Sequence, residues 1–268
     1  MVRGRAPLLA LHLSRGNDRR APGTKGQDDR VDPPANQGLS ALAMRWERLA
    51  RRVADAAARA GRDGAAIRLV AVTKLVDDAT VLEAIALGLT DLGENRVQNL
   101  LARPDAITAQ ARMHLIGPLQ TNKVKKAVGA MAEFHALERV ELVPLLDREA
   151  AAVGKVLPVW LQVNVAREPQ KHGCAPESAA ELAGRIAAAP RLQLRGLMTI
   201  APLAEEAEAS RAHFRALAAL STRLLASGAL PSGATGLSMG MSNDFEVAVE
   251  EGATSLRVGS ALFAEDGA

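Results

Sequence analysis

The chain has 268 residues, 48% of them hydrophobic, which supports one sizeable core and suits a single α/β barrel of about 250 residues. Its net charge of +3 resides in residues 1–38, where seven Lys/Arg face four Asp; the rest balances 26 against 26, so the basic excess marks no nucleic-acid surface. A single cysteine excludes an intrachain disulfide, no apolar run reaches the roughly 18 residues of a membrane span, and five scattered histidines form no metal-ligand pair by spacing.

Residues 1–38 carry Gly, Pro, Arg and Asp clusters that could pack little, and we read them as a disordered tail or a mis-set translation start, with the native chain beginning between Val31 and Met44. Residues 39–268 then form one domain. Residues 39–60 are rich in Ala and Arg with apolar positions at helical spacing, and Gly61 is a natural stop. Residues 67–73 (IRLVAVT) make a short continuous apolar run, the pattern of a strand buried on both faces. Asp77 and Asp78 open a helix that ends near Gly88. Further strands are expected at 89–92, 112–116, 132–136, 156–164, 192–198, 235–239 and 254–258. Helical stretches lie between them, among them 138–152, 177–189 and 205–226. Phe214, Leu217, Leu220 and Leu224 line one face of the last.

Strict alternation implies a parallel sheet, and eight units in about 230 residues imply closure into a (β/α)8 TIM-type barrel. An open doubly wound sheet is the alternative. In a barrel the chemistry sits at the C-terminal ends of the strands. Lys74 lies there, directly after an apolar strand, as an amine nucleophile or simply as a solvated strand-end lysine. Gly236-Leu-Ser-Met-Gly240 matches the GxSxG elbow of α/β hydrolases, but that fold orders its residues Ser, acid, His, and no histidine follows Ser238. We reject the hydrolase. The same segment reads better as a phosphate loop running into Met241 and Ser242, with Arg257, Gly259 and Ser260 supplying a second small turn; helix capping by Ser242 or Asn243 is the plainer reading. Asn95 caps a helix or lines a pocket. His114, inside a strand, is more often a satisfied core residue than a catalyst.

Seven segments together resemble the pyridoxal phosphate homeostasis protein family, which shares its fold with the N-terminal domain of alanine racemase. They are AVTK (71–74), GEN followed by VQ (93–98), HLIGPLQTNK (114–123), VNVAREPQKHG (163–173), RGLMTI (195–200), LSMGMSNDFEVAVEEG (237–252) and RVGSALF (257–263). The resemblance implies pyridoxal 5'-phosphate as cofactor, held by Lys74 as a Schiff base. It implies a phosphate site at Gly240, Met241, Ser242, Gly259 and Ser260, Asn95 in the ring pocket, and Arg257 facing the pyridine nitrogen. A cation there weakens the ring as an electron sink. Racemisation by the alanine racemase route also needs a tyrosine, and the chain has none. The implied role is therefore a non-catalytic, cytoplasmic, monomeric carrier that hands the cofactor to apo-enzymes. It involves no catalytic residue, no metal, no nucleic acid and no membrane. The alternative is a small racemase using His114 or Cys174 as its second base. Where the family often carries a lysine two residues after the Schiff-base lysine, this chain has Val76, which leaves Lys171 as a candidate for cofactor exchange.

Overall fold

The computed structural model describes residues 39–264; the expected tail lies outside the described residues. The first helix, α1 (Ala41–Arg59), buries Leu42, Trp46, Leu49 and Val53 along one stripe, and Ser40 caps it by accepting from the Ala43 N–H. Gly61, at φ +65, ends it in the left-handed region that glycine enters without a steric cost. β1 (Arg68–Val72) follows, then α2 (Asp78–Ala86), whose cap Asp77 accepts from the Thr80 N–H.

The alternation continues through β2 (Asp91–Glu94), α3 (Val97–Ala102), α4 (Asp105–Thr108), β3 (Arg112–Leu115), α5 (Val124–Ala130), β4 (Glu133–Leu137) and α6 (Leu142–Ala152). It proceeds through β5 (Leu157–Gln162), α7 (Ala179–Ala187), β6 (Leu192–Met198), α8 (Arg211–Ala226), β7 (Gly236–Ser238), α9 (Phe245–Glu250), β8 (Ser255–Val258) and α10 (Ser260–Phe263). The eight strands pair in parallel in chain order, and β8 returns to β1, so the sheet is a closed barrel. The open sheet is excluded. All eight expected strands exist. The one at 89–92 is displaced to 91–94, because Leu89 and Thr90 complete the turn after Gly88, with the Leu89 N–H on Ala84 O.

Side chains alternate between the two faces of each strand. One face packs outward against the helices in a continuous apolar layer that includes Leu69, Leu92, Leu115, Phe134, Leu161, Leu197 and Leu256. Fully burying each such side chain contributes about 1.5–3 kcal/mol. The inward face differs. A parallel barrel is usually filled by branched apolar side chains. Here two interior hydrogen-bonded groups form, Arg68 and Trp160 on Glu133, and Arg257, Ser238, His135 and His114 in a row, alongside Val70. Among the described residues no helix is long and apolar enough to cross a membrane.

Candidate functional site

One end of the barrel opens into a cavity of about 570 Å³. Its wall is made where strands end. Val72 and Lys74 come from β1 and the turn after it, Asn95 from the end of β2, Ile116 to Pro118 from the end of β3, and Ile200, Pro202, Leu203, Ala204 and Ala207 from the segment after β6. Met241, Ser242, Asn243 and Asp244 follow β7, and Arg257, Gly259 and Ser260 belong to β8 and its exit. Of the eight residues expected from sequence, Lys74, Asn95, Met241, Ser242, Arg257, Gly259 and Ser260 line this one cavity. Gly240 does not line it. It turns the chain into it at φ +94, and a Cβ there would lie 2.5 Å from Ala248 Cβ.

Lys74 is exposed and sits in a tight turn closed by the Val76 N–H on Thr73 O at 3.0 Å. The turn's third residue, Leu75, has φ +66, unusual for a residue with a Cβ, and the residue is 97% exposed. Sequence reasoning missed what holds this turn. Arg103 donates to Thr73 O (2.6 Å), Val76 O (3.0 Å), Asp78 Oδ1 (2.6 Å) and, through Nη2 and Nε, to Glu94 Oε1 (2.8 and 3.0 Å). Thr73 Oγ1 donates to the same Glu94 oxygen at 2.8 Å. Burial pulls the Arg103 guanidinium down, but the Glu94 and Asp78 carboxylates outweigh it and keep it above its ordinary value. The only signal available was the Glu94 of the GEN segment; nothing in the sequence marks Arg103. Gly117 has a similar silent role: a Cβ there would stand 2.1 Å from Asn95 O, so the two loops touch backbone to backbone.

Across the cavity, Ser242 Oγ accepts from the Gly259 N–H (3.3 Å) and the Ala261 N–H (3.1 Å), tying the β7 and β8 exits together. The Met241 N–H is taken by Asp244 Oδ1 at 2.7 Å, so it is not free for the phosphate that the resemblance implies there. Among the described residues the Ser242, Asn243 and Ser260 N–H groups have no intramolecular acceptor, and all three residues line the cavity. Convergent backbone amides beside small residues make an anion-binding concavity. The donor set therefore fits a phosphate. A primary amine (Lys74), a buried guanidinium (Arg257) and these amides on one wall fit pyridoxal phosphate as a whole.

Arg257 is 3% exposed. Burial pushes its pKa down to about 10, with Asp244 opposing, so it remains a cation at neutral pH. It donates to Ser238 Oγ (2.6 Å) and Thr199 O (2.8 Å). Ser238 also meets His135 Nδ1 at 3.1 Å. A serine–histidine contact thus exists where chain order argued against one. It is not a hydrolase site, since Ser238 is fully buried beneath Arg257 and does not line the cavity.

The remaining candidates lie elsewhere. His114 is buried with both ring nitrogens engaged, by Asp91 (2.7 Å) and His135 (3.0 Å). Cys174 is half-buried, forms an isolated parallel bridge with Val163, and burial pushes its thiol up to about 12. Neither lines the cavity, so neither stands where a second base would. Lys171 also lies outside it, paired with Glu168 at 2.8 Å.

The chain is similar to known proteins over most of its length. Residues 44–266 match the family model of the alanine racemase N-terminal domain. The pyridoxal phosphate homeostasis protein of Pseudomonas aeruginosa is 41% identical over 227 residues, covering 84% of this chain and 96% of that protein. The human protein of the same name is 36% identical over 228 residues, 80% of this chain and 82% of its own. The structure of PipY from Synechococcus elongatus, solved with PLP bound, superposes with a TM-score of 0.70 at 35% identity over 81% of this chain and all of that one. D-threonine aldolase from Filomicrobium marinum, at 17% identity and a TM-score of 0.66, shares the fold alone.

Proposed function

The chain belongs to the pyridoxal phosphate homeostasis protein family, and from that premise we propose that it is a non-catalytic carrier of pyridoxal 5'-phosphate which holds the cofactor on Lys74 as a Schiff base and releases it to apo-enzymes. The observation that carries this reading is the convergence of Lys74, Arg257 and three unengaged backbone amides on one cavity. Ser242, Asn243 and Ser260 take the phosphate through their free N–H groups, with Gly240, Met241 and Gly259 shaping the two turns. Asn95 lines the ring pocket. Arg257 is assigned to the pyridine nitrogen.

Pyridoxal phosphate, when bound, supplies an electron-withdrawing ring whose strength as a sink depends on the partner of its pyridine nitrogen. The protein's own groups limit that strength. Arg257 is a donor and a buried cation, and it cannot stabilise a protonated ring nitrogen as a carboxylate would. No tyrosine exists anywhere in the 268 residues. Both features favour holding over turnover, as does the naming of the relatives as homeostasis proteins rather than enzymes. The same reading makes it a monomer in the cytoplasm.

The test is a spectrum followed by an exchange assay. The purified protein shows a band near about 420 nm, where Schiff bases of this cofactor absorb. In deuterated water it exchanges no Cα proton of any amino acid in a broad panel. Robust exchange would replace the carrier with the racemase reading. A colourless protein that takes up added pyridoxal phosphate without a band would remove Lys74 from the account.

A further inference from the structure

Arg257 is the upper end of a polar chain that runs down through the barrel. Arg257 Nη1 donates to Ser238 Oγ (2.6 Å), which meets His135 Nδ1 (3.1 Å). His135 Nε2 meets His114 Nδ1 (3.0 Å), and His114 Nε2 meets Asp91 Oδ1 (2.7 Å). The five residues come from five strands: β8, β7, β4, β3 and β2. Four are fully buried or nearly so, whereas the Asp91 side chain is 18% exposed and also pairs with the exposed Arg112. The chain therefore joins the cavity to solvent at the opposite face.

Proton bookkeeping gives it a direction. Burial raises the Asp91 carboxyl, but the hydrogen bond to His114 and the flanking guanidiniums of Arg112 and Arg68 outweigh that and hold it below its ordinary value. A carboxylate only accepts, so His114 Nε2 carries a proton. If His114 is neutral, its Nδ1 accepts from His135 Nε2–H. His135 Nδ1 is then bare and accepts the Ser238 hydroxyl proton, which leaves Ser238 Oγ free to accept from Arg257. Every donor points the same way, from the cavity towards the base. Adding one proton at His114 reverses the sequence: His114 Nδ1 donates to His135, His135 Nδ1 donates to Ser238, and Ser238 must receive two donors, one of them Arg257.

Facing the pair are Asp91 from β2, Arg112 from β3, Glu133 from β4, Arg68 from β1 and Arg257 from β8. Glu133 is not available as a counter-charge, because both its oxygens engage Arg68 (2.9 and 2.5 Å) and Trp160 donates to it as well. The same pairing argues against reading His114, Glu133 and His135 as a metal site, since Arg68 already provides the cation.

We propose that Asp91, His114, His135 and Ser238 are positioning residues for Arg257, a one-directional hydrogen-bond relay that aims the guanidinium at the cavity and loosens its aim when the histidine pair takes up a proton. The proposal rests on the carrier reading for its ligand, pyridoxal phosphate. The structure of the relay itself does not.

The experiment uses the full chain, isotopically labelled at histidine nitrogen, first freed of pyridoxal phosphate and then titrated with it between about pH 5 and about pH 9. His114→Gln and His135→Gln variants assign the two buried signals. Without cofactor, both rings report Nε2–H with a bare Nδ1 at neutral pH. Ser238→Ala shifts the His135 Nδ1 signal and weakens pyridoxal phosphate retention about tenfold, as losing one hydrogen bond to a charged group would. Wild-type retention falls on acidification in step with protonation of the pair, and that dependence is lost in Ser238→Ala. Asp91→Asn, remote from the cavity, moves the same readouts less, which a merely structural role would leave unmoved. At neutral pH, a His135 ring found neutral with its proton on Nδ1 would overturn the relay. So would Ser238→Ala and Asp91→Asn proteins that retain the cofactor like wild type at every pH. If wild type takes up no pyridoxal phosphate, the carrier reading fails, while the tautomers of the unloaded protein still decide the relay.

Discussion

Replacing Arg103 by methionine tests how the Lys74 turn is held. The side chain is 9% exposed and its main carboxylate partner, Glu94, is fully buried. Arg103→Met leaves Glu94 with Thr73 Oγ1 as its one donor, and its second oxygen, Oε2, already has no partner. Removing one member of a buried ion pair costs about 3–5 kcal/mol, because a desolvated charge is left behind. The arm to Asp78 adds little, since that carboxylate is 52% exposed and water screens it. For a folded unit of this size each kcal/mol lowers Tm by about 2–4 °C, so the fall should be roughly 6–20 °C. Urea unfolding should show a lower midpoint with an unchanged slope. The double variant Glu94→Gln with Arg103→Met should recover part of the loss, because the orphaned charge is gone. A single variant that loses under about 1 kcal/mol, or a double variant as unstable as the sum of the singles, would refute the argument.

Other expectations follow from the same structure. Leu75→Asn should raise stability by about 0.5–1 kcal/mol, since Asn tolerates positive φ and the leucine side chain buries almost nothing; a chemical denaturation curve that moves to lower denaturant contradicts this. Gly240→Ala should cost more than about 2 kcal/mol and loosen phosphate retention, because the new methyl meets Ala248 and the φ of +94 disfavours it. Gly61→Ala is the control, where the φ alone is strained and nothing lies within 4 Å. Acid should destabilise the protein early. Burial, reinforced by the guanidiniums of Arg257 and Arg68, holds His135 well below the ordinary value of 6.5. The unfolded chain therefore binds more protons as pH falls below 6.5, and stability declines from there by up to about 1.4 kcal/mol per pH unit. His135→Gln should flatten that slope in pH-dependent unfolding, and an unchanged slope would exclude His135 as its source.

The fold was largely legible because the outward faces obey simple patterning. IRLVAVT reads as a strand, and the helix containing Phe214, Leu217, Leu220 and Leu224 is where its spacing places it. β2 was displaced by two residues because Asp-Leu-Gly-Glu does not look like a strand: its inward positions hold Asp91 and Gly93, which serve the interior and not a hydrophobic layer. The cavity was legible through turn chemistry, as Gly240, Ser242, Gly259 and Ser260 stand out locally. The relay and the Arg103 clamp were not. Their members are single polar residues on separate strands or helices, each with an ordinary surface or core reading, and only closure of the barrel brings His135 to Ser238, 103 residues apart.

The central claim is that Lys74 carries pyridoxal phosphate, and borohydride reduction followed by peptide mapping tests it most directly. Reduction of the wild-type protein should fix the cofactor on the peptide containing Lys74, and Lys74→Ala should carry none. A reduced adduct on another lysine, or one that persists in Lys74→Ala, would contradict the account.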